Sequence, residues 1–374
     1  MFRIALRNLF HDRVRLIVTL TGIVFALVLI AVQFGLFLGF LETSSNIVAQ
    51  NKADIYITAP GVPHVNGGSP IPETRRFKAL AVEGVAAVEK YTVFFVVWKL
   101  PTGSQESVQI VGYEPHIGLG APWNVVAGDP NELRNDDTVF VDEQYLPKLG
   151  VQGIGDSVEI MGRRARIVGL TRGILSFTTS PYVFTNFKNA QNYQAMTQDQ
   201  TVYLLVKAQP GQDLEQLKTR LAAAIPGVDI FTREEMRQRT MSYWVFGTGA
   251  GTTTLMGAIL GLLVGIVVVA QTIYSATIDH IREFGTLKAM GARNSHIYRV
   301  ILSQSILSAL LGYILGIGVS LLVVRASAGS NAPILLPLEA AIGIFFLTLF
   351  MCISASFLSI RKATTIDPAM VFRG

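Results

Sequence analysis

The sequence predicts an α-helical membrane protein with four transmembrane helices and one α+β domain outside the bilayer. Only 15% of the 374 residues are charged and 50% are hydrophobic, whereas a soluble domain carries about 25% charged residues. Four long stretches contain no Asp, Glu, Lys or Arg. About two hundred residues of ordinary charge density separate the first stretch from the second. This segregation favours membrane spans around one water-facing domain over a single large core.

The four uncharged stretches are predicted as transmembrane helices at residues 16–41, 240–278, 300–324 and 340–360. Each provides the roughly 20 residues that a spanning helix needs. The second stretch is longer than the bilayer requires, so its first part is predicted to be a stalk outside the membrane. Residues 1–15 are predicted to form an amphipathic helix on the membrane surface, because Phe2, Leu6 and Leu9 share one helical face.

The distribution of charge predicts the orientation. Residues 42–247 hold 19 basic and 21 acidic residues, whereas residues 1–15, 279–299 and 361–374 together hold 11 basic and 4 acidic residues. Lys and Arg accumulate on the cytoplasmic side of short membrane loops. Both termini and the middle loop are therefore predicted to be cytoplasmic. The 42–239 domain and the 325–339 loop then lie on the opposite side. In a Gram-negative cell the spans would cross the inner membrane and this side would be the periplasm. Because the basic excess lies beside the spans, it does not indicate nucleic-acid binding.

The water-facing domain shows a faint internal repeat. Helices are predicted at 73–82 and 213–224, and each is followed by a Gly-Val pair and a strand. Two such units can form one split β-α-β sheet with its helices on one face. Alternating and β-branched runs predict strands at 53–58, 93–98, 107–111, 138–141, 157–160, 165–168 and 201–206. Residues 105–195 are predicted to be an inserted all-β lobe.

Motifs for catalysis or metal binding are scarce in the sequence. The five histidines show no metal-ligand spacing, and Cys352 is the single cysteine. The dipeptide Gly-Lys is absent, so the chain has no P-loop. We therefore expect no catalytic residues, no metal and no cofactor in this chain. A membrane-anchored periplasmic enzyme stays a less favoured alternative, because paired acid/base residues are scarce.

The predicted spans carry polar and small residues but no charge near their centres. Gln33, Gln271 and Gln304 are the most polar residues there, and such groups tend to hydrogen-bond across helices. A carrier driven by protons or sodium usually needs a charged residue within the membrane, so that class is disfavoured. Glycines recur every four positions in the second and third predicted spans: Gly257, Gly261 and Gly265, then Gly312 and Gly316. This spacing favours a helix-packing role, within a bundle or at a dimer interface, over a chance occurrence.

The middle loop is predicted to contain a short charged helix with an apolar stripe of Phe284, Leu287 and Met290. Such a helix could dock on a cytoplasmic partner. Residues 282–292, Arg-Glu-Phe-Gly-Thr-Leu-Lys-Ala-Met-Gly-Ala, resemble the Arg-Glu-Ile-Gly-x-x-x-Ala-x-Gly-Ala motif of FtsX-like, MacB-type ABC permeases. Phe284 replaces the usual Ile. The tail Arg-Lys-Ala at 361–363, followed by Asp-Pro-Ala at 367–369, also resembles that family. Residues 12–16 and the span after them are most similar to the DevC branch.

The resemblance implies a homodimeric permease subunit whose coupling helix, at about 280–291, rests on an ABC ATPase. Polar contacts to that ATPase are expected from Arg282, Glu283 and Lys288, with Phe284 and Leu287 in its groove. The motif also includes Gly285, Gly291 and Ala292. MacB has a fused ATPase domain and this chain does not, so the resemblance implies a separate subunit that binds ATP and Mg²⁺.

The DevC-like resemblance also implies efflux through a periplasmic adaptor (membrane fusion) protein and an outer-membrane channel. An alternative within the family is an FtsX- or LolC-like regulator of cell-wall hydrolases or of lipoprotein release. No nucleic-acid partner is expected, and the lipid bilayer surrounds the spans.

Overall fold

The computed structural model describes residues 13–279, 294–327 and 333–364. The chain divides into a helical unit, Met1–Phe40 with Gly251–Gly374, and an α+β unit, Leu41–Ala250. The helices are α1 Arg13–Ala49, α2 Arg75–Leu80, α3 Leu146–Leu149, α4 Phe187–Gln194, α5 Leu214–Ala224, α6 Arg233–Phe246, α7 Gly249–Asp279, α8 Asn294–Ser327 and α9 Leu338–Thr364. The strands are β1 Ile55–Thr58, β2 Ile71–Pro72, β3 Val85–Lys99, β4 Gln105–Tyr113, β5 Val125–Gly128, β6 Thr138–Asp142, β7 Ser157–Ile160, β8 Arg163–Thr171, β9 Tyr182–Asn186, β10 Gln200–Thr201, β11 Tyr203–Ala208 and β12 Asp229–Thr232.

Within the described ranges, four helices are long and apolar enough to cross a membrane, as the sequence predicts. The candidate spans are Leu16–Ala49, Gly249–Ser275, Tyr298–Ser327 and Leu338–Phe357. Helix α1 continues eight residues beyond the predicted end of its span at Leu41. The α+β unit has two hydrophobic cores, and Ile47 and Val48 at the end of α1 belong to the first of them. They are only 2% and 0% exposed, so the extension buries apolar surface and is favourable.

Two helices cover the uncharged run at 240–278. Helix α6 ends at Phe246 and α7 begins at Gly249. The Thr248 hydroxyl donates to the Trp244 carbonyl oxygen at 2.7 Å, which offers the backbone an alternative to helical hydrogen bonding. The glycines on both sides of Thr248 also have low helix propensity. The local sequence therefore explains the break.

The α+β unit is built on the predicted split β-α-β sheet. Strands β12, β1, β11 and β3 lie in that order and pair antiparallel throughout. Helix α2 lies between β1 and β3 in the chain, and α5 lies between β11 and β12. The first core packs against this part of the sheet, and Leu217 and Leu221 of α5 are fully buried in it.

The inserted lobe extends the same sheet through the pairing of β3 with β4. Strands follow in the order β4, β9, β6, β8 and β5, while β7 pairs with both β3 and β8. The prediction that this lobe is all-β is wrong, because it contains the eight-residue helix α4. The Asn186 side chain caps α4 by accepting a hydrogen bond from the Asn189 N–H at 2.8 Å. A second core, which includes Trp98, fills the lobe.

Candidate functional site

The repeated glycines of α7 lie against α1 within one copy of the chain. A Cβ atom added at Gly261 would lie 3.0 Å from Gln33 Cγ, and one added at Gly265 would lie 2.6 Å from Ile30 Cδ1. Gly257 also faces Gln33, with the Gln33 Oε1 atom 3.2 Å from its would-be Cβ. The missing side chains therefore let the two helices approach closely.

The glycines of α8 lie against a different part of α1. Gly312 faces Ile23 and Gly316 faces Leu27, with would-be Cβ distances of 2.5 and 3.0 Å. Helix α1 is thus the common partner of both glycine motifs, and Ile23 and Leu27 are 0% and 1% exposed. These contacts are made within one copy, so a role of the same glycines between two copies stays a prediction.

A further pair of glycines, which the sequence reasoning missed, lies on α1 itself. Gly35 and Gly39 are four residues apart and face residues 333–335. The Gly35 carbonyl oxygen accepts a hydrogen bond from the Leu335 N–H at 3.0 Å. A Cβ at Gly39 would lie 1.9 Å from the Pro333 carbonyl oxygen. The signal was the same small-residue spacing that marks the other two motifs.

The predicted coupling residues lie outside the described residues. They are Arg282, Glu283, Phe284, Gly285, Leu287, Lys288, Gly291 and Ala292. Of the polar span residues, Gln33 is placed in a helix contact, whereas Gln271 is exposed in a single copy of the chain.

The end of α1 is built into the α+β unit. The Asn46 side chain is 9% exposed and its Nδ2 donates to the Leu175 carbonyl oxygen at 2.6 Å. Further along, the carbonyl oxygen of Asn51 accepts from Arg233 Nη1 at 3.0 Å, at the start of α6. Close packing and buried hydrogen bonds make such an attachment stiff, so a displacement of this helix end displaces the residues around it.

Helix α6, which leads to α7, is anchored in the same unit. Thr232 and Glu235 form a capping box at its start. Further along, Arg239 Nε donates to the Val62 carbonyl oxygen at 2.6 Å, and the buried Thr240 hydroxyl accepts from the Val65 N–H at 3.2 Å. Both segments that continue into predicted spans are therefore fixed to the α+β unit by side chain to backbone hydrogen bonds.

An aromatic cluster joins α6 to two loops of the α+β unit. His64 stacks on Tyr243 with ring centroids 4.1 Å apart, and Trp244 lies 4.5 Å from Phe177. Burial lowers the pKa of His64 and so favours the neutral form of its imidazole. Phe177 follows Leu175, the acceptor for Asn46, by two residues. The segment 175–177 therefore contacts both α1 and α6.

The hydroxyl-rich stretch from Ser176 to Ser180 fixes that segment to β4. Gln109 Nε2 donates to the Ser176 hydroxyl at 2.7 Å, to the Thr178 hydroxyl at 3.1 Å and to the Ser180 carbonyl oxygen at 3.0 Å. Asn66 Nδ2 donates to Gln109 Oε1 at 2.5 Å. The stretch is a loop, and Gln109 links it to Asn66 of the split β-α-β part.

Glu89 is a buried carboxyl group on β3, 1% exposed. Its oxygens accept hydrogen bonds from the backbone N–H groups of Ile117 and Leu119 at 3.3 and 3.1 Å. Burial raises its pKa to about 7, although these two hydrogen bonds act in the opposite direction. It fixes the loop after β4 rather than pairing with another acid or base. Among the residues that the structure describes, no group of three or more His, Cys, Asp or Glu could hold a metal ion.

The helical unit also contains an apolar groove of about 610 Å³. Helices α1, α7 and α9 line it, and Glu339 in the first turn of α9 is the one charged residue of the lining. The groove has no catalytic constellation.

Four membrane-length helices among the described residues, together with a separate α+β unit, define a multi-pass membrane protein with one folded α+β domain. Two family models match the sequence. The MacB-like periplasmic core domain matches residues 16–224, and the FtsX-like permease C-terminal domain matches residues 255–368. The chain belongs to this family of FtsX-like permeases with a MacB-like periplasmic core domain.

Two relatives agree with this assignment. An uncharacterized ABC transporter permease of Mycobacterium tuberculosis is 24% identical over 99% of both chains. The pyoverdine export ATP-binding/permease protein PvdT of Pseudomonas fluorescens is 31% identical over 30% of this chain and 18% of its own length. The protein is thus the permease subunit of an ABC transporter, a class that works with an ATPase partner.

Solved structures similar to the chain cover about half of it. The periplasmic region of MacB from Actinobacillus actinomycetemcomitans covers 50% of this chain and 92% of its own, with 11% identity and a TM-score of 0.39. The extracellular domain of the transporter YknZ from Gram-positive bacteria covers 48% of this chain, with a TM-score of 0.37.

Proposed function

We propose that this permease couples ATP hydrolysis by a separate ATPase subunit to a conformational change of its α+β unit for export. The observation that supports the proposal is the double anchoring of that unit. The end of α1 is fixed through Asn46, and α6 is fixed through Arg239 and Thr240. Both anchored segments continue in the chain into predicted spans, so movement of these spans would displace the loops at 59–66 and 175–180.

The cytoplasmic end of this coupling is the 280–291 segment. In the proposal it forms a coupling helix on the ATPase, the termini share its side of the membrane, and two copies of the chain form a homodimer. ATP and Mg²⁺ bind the partner, and this chain performs no catalysis. A periplasmic adaptor and an outer-membrane channel complete the export path, as in the DevC-like members that the sequence resembles.

The coupling helix is tested by copurification of the ATPase with the full-length protein. The double variant Glu283→Lys with Gly285→Trp is expected to lower the amount of copurified ATPase at least tenfold, because it reverses a charge and adds bulk at the contact. The matched control is Glu83→Lys, which reverses an exposed charge on the α+β unit and leaves copurification unchanged. Equal amounts of copurified ATPase from both variants would contradict the assignment of 280–291 as the coupling helix.

The orientation is tested by cysteine labelling in a Cys352→Ala background. A Thr286→Cys variant is expected to react with a membrane-impermeant maleimide only after the cells are permeabilised. A Glu83→Cys variant reacts in intact cells. Labelling of position 286 from outside would contradict the proposed topology.

A further inference from the structure

Strand β3 runs between the two cores of the α+β unit, and one of its faces emerges into solvent. Along the odd-numbered face, Tyr91 is 0% exposed in the first core, whereas Phe95 is 41% and Val97 is 39% exposed. On the opposite, even-numbered face the side chains from Thr92 to Trp98 are buried, and Trp98 is 0% exposed in the second core. Two large apolar side chains of β3 are therefore left open to solvent.

The hairpin of β7 and β8 extends this open surface. Lys99 of β3 pairs with Glu159 of β7, and the same register places Met161 opposite Val97. The Met161 N–H donates to the Val97 carbonyl oxygen at 3.1 Å. Residues directly opposite in an antiparallel pair are close neighbours. Met161 is 53% exposed and its backbone is hydrogen-bonded to Val97, so Phe95, Val97 and Met161 are neighbouring exposed apolar residues.

The backbone at Met161 adopts a conformation that a methionine disfavours. The two central residues of the turn, Met161 and Gly162, have φ values of +50° and +76°. Positive φ at both positions is typical of a type I′ hairpin turn, which strongly prefers Asn-Gly, Asp-Gly or Gly-Gly. A bulky residue at such a position, with its side chain in solvent, points to a function for that side chain.

The apolar surface is bordered by positive charge. Lys99, Arg164 and Arg166 lie on the same face of the sheet, and Glu159 is the one acidic residue there. Glu159 pairs with Lys99 at 2.9 Å, so the two arginines leave a net charge of +2. A concavity of about 530 Å³ adjoins the surface, lined in part by Lys99, Leu100, Pro101, Ser157, Gly162 and Arg164. We call Phe95, Val97, Met161, Lys99, Arg164 and Arg166 the tip surface.

We propose that the tip surface docks an extracytoplasmic protein segment whose apolar side chains are flanked by carboxylates. The charge argues against a second copy of this chain, because a symmetric contact would bring +2 against +2. The concavity, lined by Leu100 and Pro101 after β3 and by Gly162 of the β7–β8 turn, favours a protruding protein segment over a flat lipid surface. The proposal concerns a surface distinct from the coupling helix and does not depend on it.

The partner is identified by photo-crosslinking from the full-length protein in its own cells. p-Benzoylphenylalanine at position 97 is expected to form an adduct with one extracytoplasmic protein. The same probe at Phe77 of α2, which is 65% exposed, serves as the control and does not capture that protein. Adducts at position 97 with only lipid, with only a second copy of this chain, or with no partner would overturn the proposal.

The captured protein is then purified and titrated against the full-length permease in detergent. Phe95→Ala with Val97→Ala is expected to weaken binding at least tenfold, whereas Phe77→Ala leaves it unchanged. Arg164→Glu with Arg166→Glu weakens binding by a similar factor and reduces its dependence on salt concentration. Met161→Asn is the decisive variant, because it relieves the turn and raises the unfolding temperature while binding becomes at least fivefold weaker. Wild-type affinity in the Met161→Asn variant would overturn the proposal.

Discussion

Replacing Glu89 by glutamine should remove a pH-dependent loss of stability from the α+β unit. In the folded protein the pKa of Glu89 is raised by burial from 4.5 to about 7. As the pH rises from 4.5 to 7, the unfolded chain therefore loses this proton while the folded chain keeps it. The free energy of unfolding falls across that window, because the unfolded state binds fewer protons there.

The size of the effect follows from the shift of about 2.5 pKa units. At about 1.36 kcal/mol for each unit, Glu89 costs about 3 kcal/mol of stability at pH 8. The group is 1% exposed, so solvent screening reduces this figure little. Between pH 4 and pH 8 the stability of Glu89→Gln should rise by about 3 kcal/mol relative to the wild type, because the amide does not titrate. The amide oxygen still accepts from the Leu119 N–H, whereas the Ile117 N–H loses its acceptor at every pH.

Tryptophan fluorescence provides the assay on the full-length protein in detergent. The three tryptophans, Trp98, Trp123 and Trp244, all lie in the α+β unit, so their emission during urea unfolding reports on that unit. Glu83→Gln, at an exposed position, is the control and keeps the pH dependence of the wild type. If Glu89→Gln also keeps that dependence, burial does not set the pKa of Glu89 and the reasoning is refuted.

Two further substitutions test the helical unit and the aromatic cluster. Gly39→Ala should destabilise the helical unit by about 1–3 kcal/mol, because its Cβ would meet the Pro333 carbonyl oxygen; a lower temperature of thermal aggregation should follow. Gly318→Ala, which meets nothing within 4 Å, is the control, and equal loss in both variants would contradict the packing argument. Trp244→Ala should preserve ATPase copurification but lower nucleotide-dependent protease protection of the α+β unit at least threefold, because the contact with Phe177 is lost. Unchanged protection would show that the aromatic cluster does not transmit motion.

The candidate site was only partly predictable from the sequence. The glycine repeats on α7 and α8 were visible as spacing, but spacing does not say which helix they face. The structure places Gly261 against Gln33 and Gly312 against Ile23, so α1 is the shared partner. Asn46 and Trp244 gave no motif at all. Their role comes from contacts with Leu175 and Phe177, more than 60 residues away in the chain.

The inserted lobe shows the same limit. Its strands β5 and β9 and its helix α4 were not predicted. Strand β9 is buried on both faces and therefore lacks the alternation that marks a half-exposed strand. Helix α4 has a recognisable cap in Asn186, but it is short, and short helices gain most of their stability from tertiary packing.

The sequence by itself determined the four spans, the split β-α-β pattern and the family motif, because these depend on local composition, periodicity and chain order. Hydrophobic length decides whether a helix can cross a bilayer, whatever it packs against. Only the tertiary structure decided which helix the glycines face, that Glu89 is buried beside two backbone N–H groups, and that Phe95, Val97 and Met161 are neighbouring exposed apolar residues. These properties arise from residues distant in the chain that share one environment, and no local pattern records that environment.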